Sequence, residues 1–232
     1  MSMLEDSKAG FAASRFLSPR RRGGMKIYLA SRNRGKLRDF DGMAPALVVE
    51  LLPGIEAMPE IEETGETFLA NAGLKAAAAS AWAAERMPEA PLVMADDSGL
   101  VVDALGGEPG VRSARYAGRH GDDETNNRLL LERLRGIEPE RRSARFVCVL
   151  AVARAGQVLA SFEGKAEGFI LDSPRGQHGF GYDPLFFSPA AGRGFAELTA
   201  AEKAGYSHRG QAARALLAWA RRARETEPMA HS

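Results

Sequence analysis

Apolar and polar positions divide the chain into short strand-like stretches and longer helix-like stretches. Compact runs rich in β-branched and aromatic side chains predict buried strands over residues 25–31, 46–53 and 90–97 and a two-strand hairpin over 143–170. Helices are predicted over residues 34–44, 67–87, 122–136 and 207–225. Helices that alternate with strands around a central hairpin predict a mixed α/β fold, with ligands at the carboxyl ends of the first three strands.

Composition narrows the range of functions more than it changes the predicted fold. The chain has 232 residues, of which 45% are hydrophobic and 26% are charged, as in ordinary globular proteins. A net charge of +1 does not favour nucleic acid or a membrane as partner. The single cysteine, Cys148, cannot form an internal disulfide and indicates a reducing, cytoplasmic setting. No apolar run reaches the roughly 18 residues that suggest a membrane span.

The two ends of the chain are expected to lie outside the folded domain. Residues 1–24 carry five basic and two acidic side chains, a local charge of 5 − 2 = +3, and lack the apolar segment of a secretory signal. They are predicted to be a flexible extension, with an organelle-targeting peptide or an upstream start codon before Met25 as alternatives. Residues 226–232 are predicted to be a frayed tail.

The turn after the first predicted strand, SRNRGK over residues 31–36, is a candidate anion site. It stands before a helix N-terminus, whose N–H groups and dipole attract phosphate, and Lys36 adds a full positive charge. It is not a Walker A loop, because the required glycine and the Ser or Thr after the lysine are missing. A solvated basic turn is the alternative.

Two further stretches contain candidate site residues, among them three carboxylates. In the first, Glu63 lies in an acidic loop, and Asn71 and Lys75 lie four residues apart on one face of the predicted helix that follows. Asp96 and Asp97 end a buried run, and paired carboxylates can hold Mg²⁺, which prefers oxygen ligands. Adjacent strand residues point to opposite faces, so the two acids are expected to act differently. The alternative is that one caps a turn and the other is exposed.

Two later stretches combine aromatic, glycine and basic residues. GFGYDP, residues 179–184, places an aromatic side chain between glycines, where its ring could stack on a nucleobase. His208 and Arg209 open the last predicted helix, whose first N–H groups favour an anion or a carbonyl oxygen. The alternative for residues 179–184 is a glycine-proline loop whose aromatic side chains pack in the core. The alternative for His208 and Arg209 is a turn that only caps the helix.

Five stretches of the chain, taken in order, carry a resemblance to a known family. They read SRNRGK, ETGETFLANAGLKA, ADDSGLVVDALGGEPGVRSARYAG, GFGYDPLFF and ELTAAEKAGYSHRGQA. In these the chain resembles the inosine-triphosphate-pyrophosphatase-like family, the non-canonical purine nucleoside triphosphate pyrophosphatases. The resemblance runs from residue 25 to about residue 222 and leaves out the first 24 residues.

The resemblance implies a Mg²⁺-dependent hydrolase. Its substrates would be ITP, dITP and XTP, cleaved between the α- and β-phosphates to give the monophosphate and pyrophosphate. The implied fold is an elongated mixed sheet with flanking helices, one catalytic domain over residues 25–225 with two lobes around a central substrate cleft. A homodimer is implied as well.

The resemblance also implies roles for particular residues. Asp97 would be the catalytic proton acceptor, and Glu63, Asp96 and Asp97 would serve the metal. The implied substrate-binding residues are Ser31, Arg32, Asn33, Arg34, Gly35, Lys36, Lys75, Ser98, Phe180, Gly181, Tyr182, Asp183, Lys203, His208 and Arg209.

Two positions depart from the family pattern. Arg32 stands where the family usually has glycine, which changes how closely the backbone can approach a phosphate. Ala70 stands where the family often has glutamate, which leaves Glu63 as the better metal ligand from that stretch.

Two other classes of function are open from the sequence. A non-catalytic nucleotide sensor would need the phosphate turn but not the acids, so the presence of Glu63, Asp96 and Asp97 favours an enzyme. A nucleic-acid-binding module would use the arginine-rich N-terminus, and the near-neutral net charge disfavours it.

Overall fold

The computed structural model of the chain describes residues 24–32, 36, 37, 40 and 47–225. The helix predicted over residues 34–44 lies largely outside these residues, as do almost all of the predicted N-terminal extension and the whole C-terminal tail. Asn33, Arg34 and Gly35 of the predicted phosphate turn also lie outside them.

One mixed sheet of seven strands runs through the described part of the chain, in the order β2-β1-β3-β4-β5-β6-β7. The strands are β1 (Met25–Leu29), β2 (Leu47–Leu51), β3 (Val93–Val102), β4 (Ser143–Arg154), β5 (Gln157–Ile170), β6 (Phe186–Ser188) and β7 (Arg193–Gly194). β1 pairs in parallel with β2 and β3, whereas each later pair is antiparallel. The predicted mixed α/β fold is confirmed.

β3 is longer than the sequence predicted. The predicted strand ended at Asp96 and Asp97, but β3 continues to Val102 and pairs with β4 along its 10 residues. Gly99 lets a neighbouring segment pack on the strand, since a Cβ atom there would lie 2.5 Å from the carbonyl oxygen of Gly110. β1 ends opposite Met94, so the two acids still lie just beyond the carboxyl end of their parallel neighbour.

Four α-helices are present among the described residues: α1 (Phe68–Ala84), α2 (Asp123–Arg133), α3 (Ala200–Tyr206) and α4 (His208–Glu225). Thr67, Asp122 and Ser207 accept hydrogen bonds from the first turns of α1, α2 and α4, near the predicted starts. α3 was not predicted; Thr199 and Glu202 form the capping box that begins it. In the part of the chain described, no helix is long and apolar enough to cross a membrane.

α1 and α4 cover opposite faces of the sheet. Ala76 of α1 packs in one cluster with Ala95, and Leu216 of α4 packs in another with Met94. Since side chains of a strand alternate between faces, odd-numbered residues of β3 face α1 and even-numbered residues face α4. A further cluster of aromatic and aliphatic side chains, including Phe186, packs beneath the loop at 179–185.

Candidate active site

β3 directs its two adjacent acids to opposite faces of the sheet. Asp97 contacts Lys75 of α1, whereas Asp96 contacts Arg209 of α4, and both acids are buried. The alternation expected from the sequence is therefore present, and each acid has its own partners.

On the α1 side, the ammonium group of Lys75 lies between two carboxylates. Its Nζ atom is 2.8 Å from Oδ1 of Asp97 and 2.8 Å from Oε1 of Glu63. Arg115 donates to the other oxygen of Glu63 at 2.9 Å, and Nδ2 of Asn71 lies 3.4 Å from Oδ2 of Asp97. These contacts join the acidic loop, α1 and β3 at one point.

These surroundings shift pKa values in opposite directions. Burial raises the pKa of Asp97; Lys75 offsets part of this effect, and the nearby carboxylates add to it. Partial burial opposes ionisation of Glu63, but hydrogen bonds from Lys75 and Arg115 outweigh it and lower the pKa. Burial also opposes the charge of Lys75, and Asp97 and Asp96 outweigh it and raise the pKa of the ammonium. Asp97 is therefore the better proton acceptor of the two acids that bind Lys75.

On the α4 side, Asp96 is surrounded by donors. Nζ of Lys36 lies 2.8 Å from its Oδ1, Nη2 of Arg209 lies 3.6 Å from its Oδ2, and the Ser98 hydroxyl donates to Oδ2 at 3.3 Å. Burial opposes ionisation, but Lys36 and Arg209 outweigh it and hold the pKa of Asp96 well below its usual range. Asp96 is thus a constant negative charge shared by two cations.

A cleft opens beside these acids, at the carboxyl end of β1. It has a volume of about 160 Å³, and Ser31, Arg32 and Lys75 line it together with part of the loop from Ile55 to Ile61. Nη2 of Arg32 donates to the carbonyl oxygen of Met58 at 2.5 Å and so joins the end of β1 to that loop. The lining also includes the carboxylate of Glu60, so its charged side chains sum to 2 − 1 = +1, a balance that favours an anion.

An exposed aromatic ring marks a second part of the site. Phe180 is 45% exposed, and Nζ of Lys203 and Cζ of Arg209 lie 5.5 and 5.1 Å from its ring centroid. Asp183 accepts a hydrogen bond from the Phe180 amide at 3.0 Å and forms an ion pair with Lys203. Because Arg209 contacts both Phe180 and Asp96, it links the aromatic part of the site to the acids. The ring is suited to stack on a planar group.

His208, another of the predicted substrate-binding residues, is buried. Its imidazole stacks on Phe146 with ring centroids 4.8 Å apart, and its Nδ1 has no hydrogen-bond partner among the residues described. Burial lowers the pKa of His208 well below its usual value, and Arg209 and Lys203 lower it further. The imidazole is therefore neutral near pH 7.

The acids on the α1 side have the chemistry of a divalent-metal site. Carboxylate oxygens are the donors that Mg²⁺ prefers, and the Lys75 ammonium balances Glu63 and Asp97 as a shared cation would. Asp96 faces the other side of the sheet, so only two of the three predicted metal ligands share a face. Across the described ranges, no group of three or more histidine, cysteine or acidic side chains is arranged to hold a metal ion.

Most of the predicted residues that the structure describes come together here. The residues that line the cleft, or that belong to or contact the buried acids and the exposed aromatic ring, are Ser31, Arg32, Lys36, Glu63, Lys75, Asp96, Asp97, Ser98, Phe180, Asp183, Lys203 and Arg209. Tyr182 is turned into the core, where its hydroxyl donates to the carbonyl of Ser113 at 2.9 Å. Gly181 contacts α2 through its backbone.

Two residues of this cluster are absent from the predicted set. Arg115 ends a short 3-10 helix (Gly110–Arg115), far along the chain from Glu63, and nothing in its local sequence indicates the contact. Asn71 stands out in the sequence, because asparagine is mildly unfavourable inside a helix, but its partner Asp97 could not be read from that signal.

Comparison with known proteins finds relatives along most of the chain. The model of the Ham1 family matches residues 27–219. The chain is 52% identical over 195 residues to a dITP/XTP pyrophosphatase of Thermus thermophilus, which covers 84% of this chain and 91% of that protein. It is 48% identical over 189 residues to a dITP/XTP pyrophosphatase of Geobacillus kaustophilus, with 81% and 90% covered.

Solved structures of Ham1 proteins resemble the fold of this chain. The Ham1 protein of Staphylococcus aureus has a TM-score of 0.72 at 39% identity, covering 84% of this chain and 97% of that one. A HAM1 protein of Coxiella burnetii has a TM-score of 0.73 at 39% identity, with the same coverage of 84% and 97%. The family resemblance read from the motifs is confirmed. In the extent of matched sequence and in its fold, the chain belongs to the Ham1 family.

Proposed function

We propose that this protein hydrolyses non-canonical purine nucleoside triphosphates, namely ITP, dITP and XTP, to the monophosphate and pyrophosphate. The observation that carries the proposal is a buried acid, Asp97, whose pKa is raised and which binds Lys75 at the wall of the cleft. On the other face of the strand, Arg209 links the neighbouring Asp96 to the exposed ring of Phe180. Relatives at 52% and 48% identity that are named dITP/XTP pyrophosphatases support it.

The cations that line the cleft or pair with the site's acids bind the triphosphate. Lys36, Lys75 and Arg115 are each held by a carboxylate at 2.8 or 2.9 Å, so their charges are in position before the substrate arrives. Ser31 and Arg32 lie at the carboxyl end of β1, where this cleft opens, and contact the phosphates from that side. Asn33, Arg34 and Gly35, which lie outside the described residues, follow them in the sequence and are proposed to bind the phosphates as well.

Asp97 acts as the general base. It takes a proton from a water molecule whose oxygen forms a bond to the α-phosphorus. The bond between that phosphorus and the oxygen bridging to the β-phosphorus breaks, and pyrophosphate leaves with the electron pair. A pKa raised by burial makes the Asp97 carboxylate a stronger proton acceptor, and Lys75, 2.8 Å away, stabilises the charge that develops.

We propose Mg²⁺ as the divalent metal of the reaction. Glu63 and Asp97 would hold it through carboxylate oxygens, and Asp96 would add to the negative charge of the site. Held there, the ion would supply positive charge against the phosphate oxygens and would lower the pKa of bound water.

The purine base is bound at the exposed ring of Phe180, with Ser98, Asp183 and Arg209 around it. A 6-oxo purine presents an acceptor where adenine presents a donor, and the charged groups of Lys203 and Arg209 near the ring are donors. An amino group at that position would be left unpaired, which favours large discrimination against adenine. Guanine shares the 6-oxo group, so its exclusion acts at the 2-position.

We further propose that residues 25–225 form one catalytic domain with two lobes that flank the cleft, and that the protein acts in the cytoplasm as a homodimer. A sheet that continues through seven strands supports a single domain. Exposed apolar side chains on α1 and β5 support self-association.

A substrate panel with pyrophosphate detection tests the function. ITP and XTP should release pyrophosphate faster than GTP and ATP, and omission of Mg²⁺ should abolish the release. Equal rates of pyrophosphate release from ATP and ITP would refute the proposed specificity. Binding of ITP without release of pyrophosphate would support a nucleotide sensor instead.

Asp97→Asn tests the base assignment. It should lower kcat by about 100-fold or more, the range for a lost general base, while nucleotide binding persists. Asp103→Asn, which alters an exposed acid, is the matched control and should keep wild-type turnover. Near-normal turnover of Asp97→Asn would refute the assignment.

A further inference from the structure

The loop that carries Phe180 is held by a helix outside the acidic cluster. The N–H of Gly181 donates to Oδ2 of Asp123 at 2.7 Å, and its carbonyl oxygen accepts from Nδ2 of Asn127 at 2.8 Å. Asp123 and Asn127 both belong to α2, where they lie four residues apart on one face. One helix therefore binds both backbone polar groups of the residue after the exposed ring.

We propose that Asp123 and Asn127 are positioning residues, which fix the direction of the Phe180 ring and thereby set how tightly the purine base binds. The proposal rests on the proposed function, because base stacking on Phe180 is what gives these two hydrogen bonds a consequence for the reaction.

Packing alone does not fix this loop. The Phe180 ring is 45% exposed, and Gly181 lies in the left-handed region at φ +63°. A Cβ atom at Gly181 would meet no described atom within 4 Å, so the space beside its Cα is open. Glycine has the greatest backbone freedom of any residue, so hydrogen bonds to its N–H and carbonyl restrict it directly. The Asp183 N–H donates to the Phe180 carbonyl at 3.3 Å and closes the turn around Gly181, and the bonds from α2 restrict the N–H and carbonyl of Gly181 itself.

The residues on either side of Gly181 are anchored elsewhere. Asp183 binds the amide of Phe180 at 3.0 Å, and the hydroxyl of the buried Tyr182 donates to the carbonyl of Ser113 at 2.9 Å. Gly181 lies between these two fixed residues, Phe180 and Tyr182. Its conformation therefore decides how the Phe180 ring is directed relative to the core.

Helix stability explains these two α2 side chains only in part: the charge of Asp123 in the first turn suits the helix dipole, but the dipole does not require a hydrogen bond to Gly181. Asn127 leaves its Oδ1 buried and without a hydrogen-bond partner within the described residues, which costs free energy. Capping of α2 is done by Asp122, which accepts from the amide of Thr125 at 3.1 Å, so Asp123 is not needed for it. The remaining role of Asp123 and Asn127 is to hydrogen-bond the backbone of Gly181.

Amide hydrogen exchange tests whether α2 holds the loop, with no need for turnover. Asp123→Ala and Asn127→Ala should speed exchange in a peptide covering residues 179–183 by about five- to tenfold, the effect of losing one hydrogen bond. Arg128→Ala is the matched control on the same helix, since Arg128 is exposed and donates to the Thr125 hydroxyl at 3.2 Å rather than to the loop that carries Phe180. Unchanged exchange in both test variants would overturn the proposal.

Steady-state kinetics with ITP tests the consequence for base binding. Both alanine variants should raise KM by about tenfold with kcat within about twofold of wild type, because weakened base binding acts on substrate affinity. Asp123→Asn keeps an oxygen acceptor for the Gly181 amide and should restore most of the affinity. A KM equal to that of Arg128→Ala, or a fall in kcat alone, would overturn the proposal. If wild type releases no pyrophosphate from ITP, the proposed function fails, and exchange alone decides whether α2 holds the loop.

Discussion

At the scale of single residues, Asp96 and Asp97 differ because strand alternation gives them different neighbours. Asp96 is paired with Lys36 and Arg209, which keep it ionised, whereas Asp97 shares Lys75 with Glu63 and has a raised pKa. One acid thus organises cations and the other can accept a proton. Removal of either charge should therefore change a different property of the protein.

Asp96→Asn should act mainly on stability. We expect the free energy of unfolding to fall by about 3 kcal/mol, because two partly buried cations lose their shared counter-charge. Urea unfolding at neutral pH measures it. Asp103→Asn is the control: its ion pair with Arg145 is exposed, so the loss should stay below about 1 kcal/mol. Equal losses in the two variants would contradict the assignment.

The buried imidazole of His208 should make the fold less stable in mild acid. Its pKa in the folded protein lies well below 6.5, so the unfolded chain binds more protons once the pH falls below that value. The stability given by the neutral ring is complete above about pH 6.5 and is lost as the pH falls, by up to about 1.4 kcal/mol per unit. Chemical denaturation across this pH range should show that the free energy of unfolding falls less steeply with decreasing pH in His208→Gln than in wild type. Parallel curves would refute the prediction.

At the scale of elements, a glycine lets α4 lie directly on β5. A Cβ atom at Gly164 would be 2.1 Å from the carbonyl oxygen of His208 and 2.7 Å from the backbone nitrogen of Ala212. α4 begins with His208 and Arg209, so the spacing between helix and strand also sets where Arg209 meets Asp96.

Gly164→Ala should therefore lower both stability and substrate affinity. The loss of unfolding free energy should be about 1–3 kcal/mol, as for overpacked cores. Gly73→Ala is the control: its Cβ would lie 4.0 Å from Cγ2 of Val158, and better helix propensity should stabilise α1 by up to about 1 kcal/mol. Thermal melting and KM for ITP measure the two effects. A neutral Gly164→Ala would show that α4 can move without consequence.

Local signals in the sequence were sufficient to predict most of the elements. Capping residues such as Thr67 and Ser207 mark helix starts that the structure confirms. α3 was missed, because its 7 residues are too few for a periodic pattern, although the capping box of Thr199 and Glu202 was visible. The end of β3 was predicted wrongly, because charged residues that look like a strand end are neutralised by partners from distant elements.

The pairing of side chains within the site could not be predicted in the same way. The family motifs indicated which residues gather there, and the four-residue spacing of Asn71 and Lys75 is local information. The contacts of Lys75 with Asp97 and of Arg115 with Glu63 join residues 22 and 52 positions apart. Which cation meets which acid is decided by how α1 and the 110–115 segment pack on the sheet.

At the scale of the whole molecule, one face combines exposed apolar side chains from two elements. Leu69 of α1 is 53% exposed and Val158 of β5 is 48% exposed. Gly73 lies one turn along α1 from Leu69, and its Cβ position would be 4.0 Å from Val158. Adjoining apolar side chains that remain exposed are typical of protein interfaces. We therefore expect the proposed homodimer to form through this face.

A double variant, Leu69→Glu with Val158→Glu, should convert that dimer to monomers. Two carboxylates without partners in an apolar interface would cost several kcal/mol, more than most interfaces of modest size can offset. Sedimentation velocity measures the outcome, and an unchanged melting curve shows that the monomer is folded. Phe169→Glu is the control, since Phe169 is 40% exposed at the other end of β5. A double variant that still sediments as a dimer would show that the interface lies on another surface. A wild-type protein that sediments as a monomer would refute the proposed homodimer.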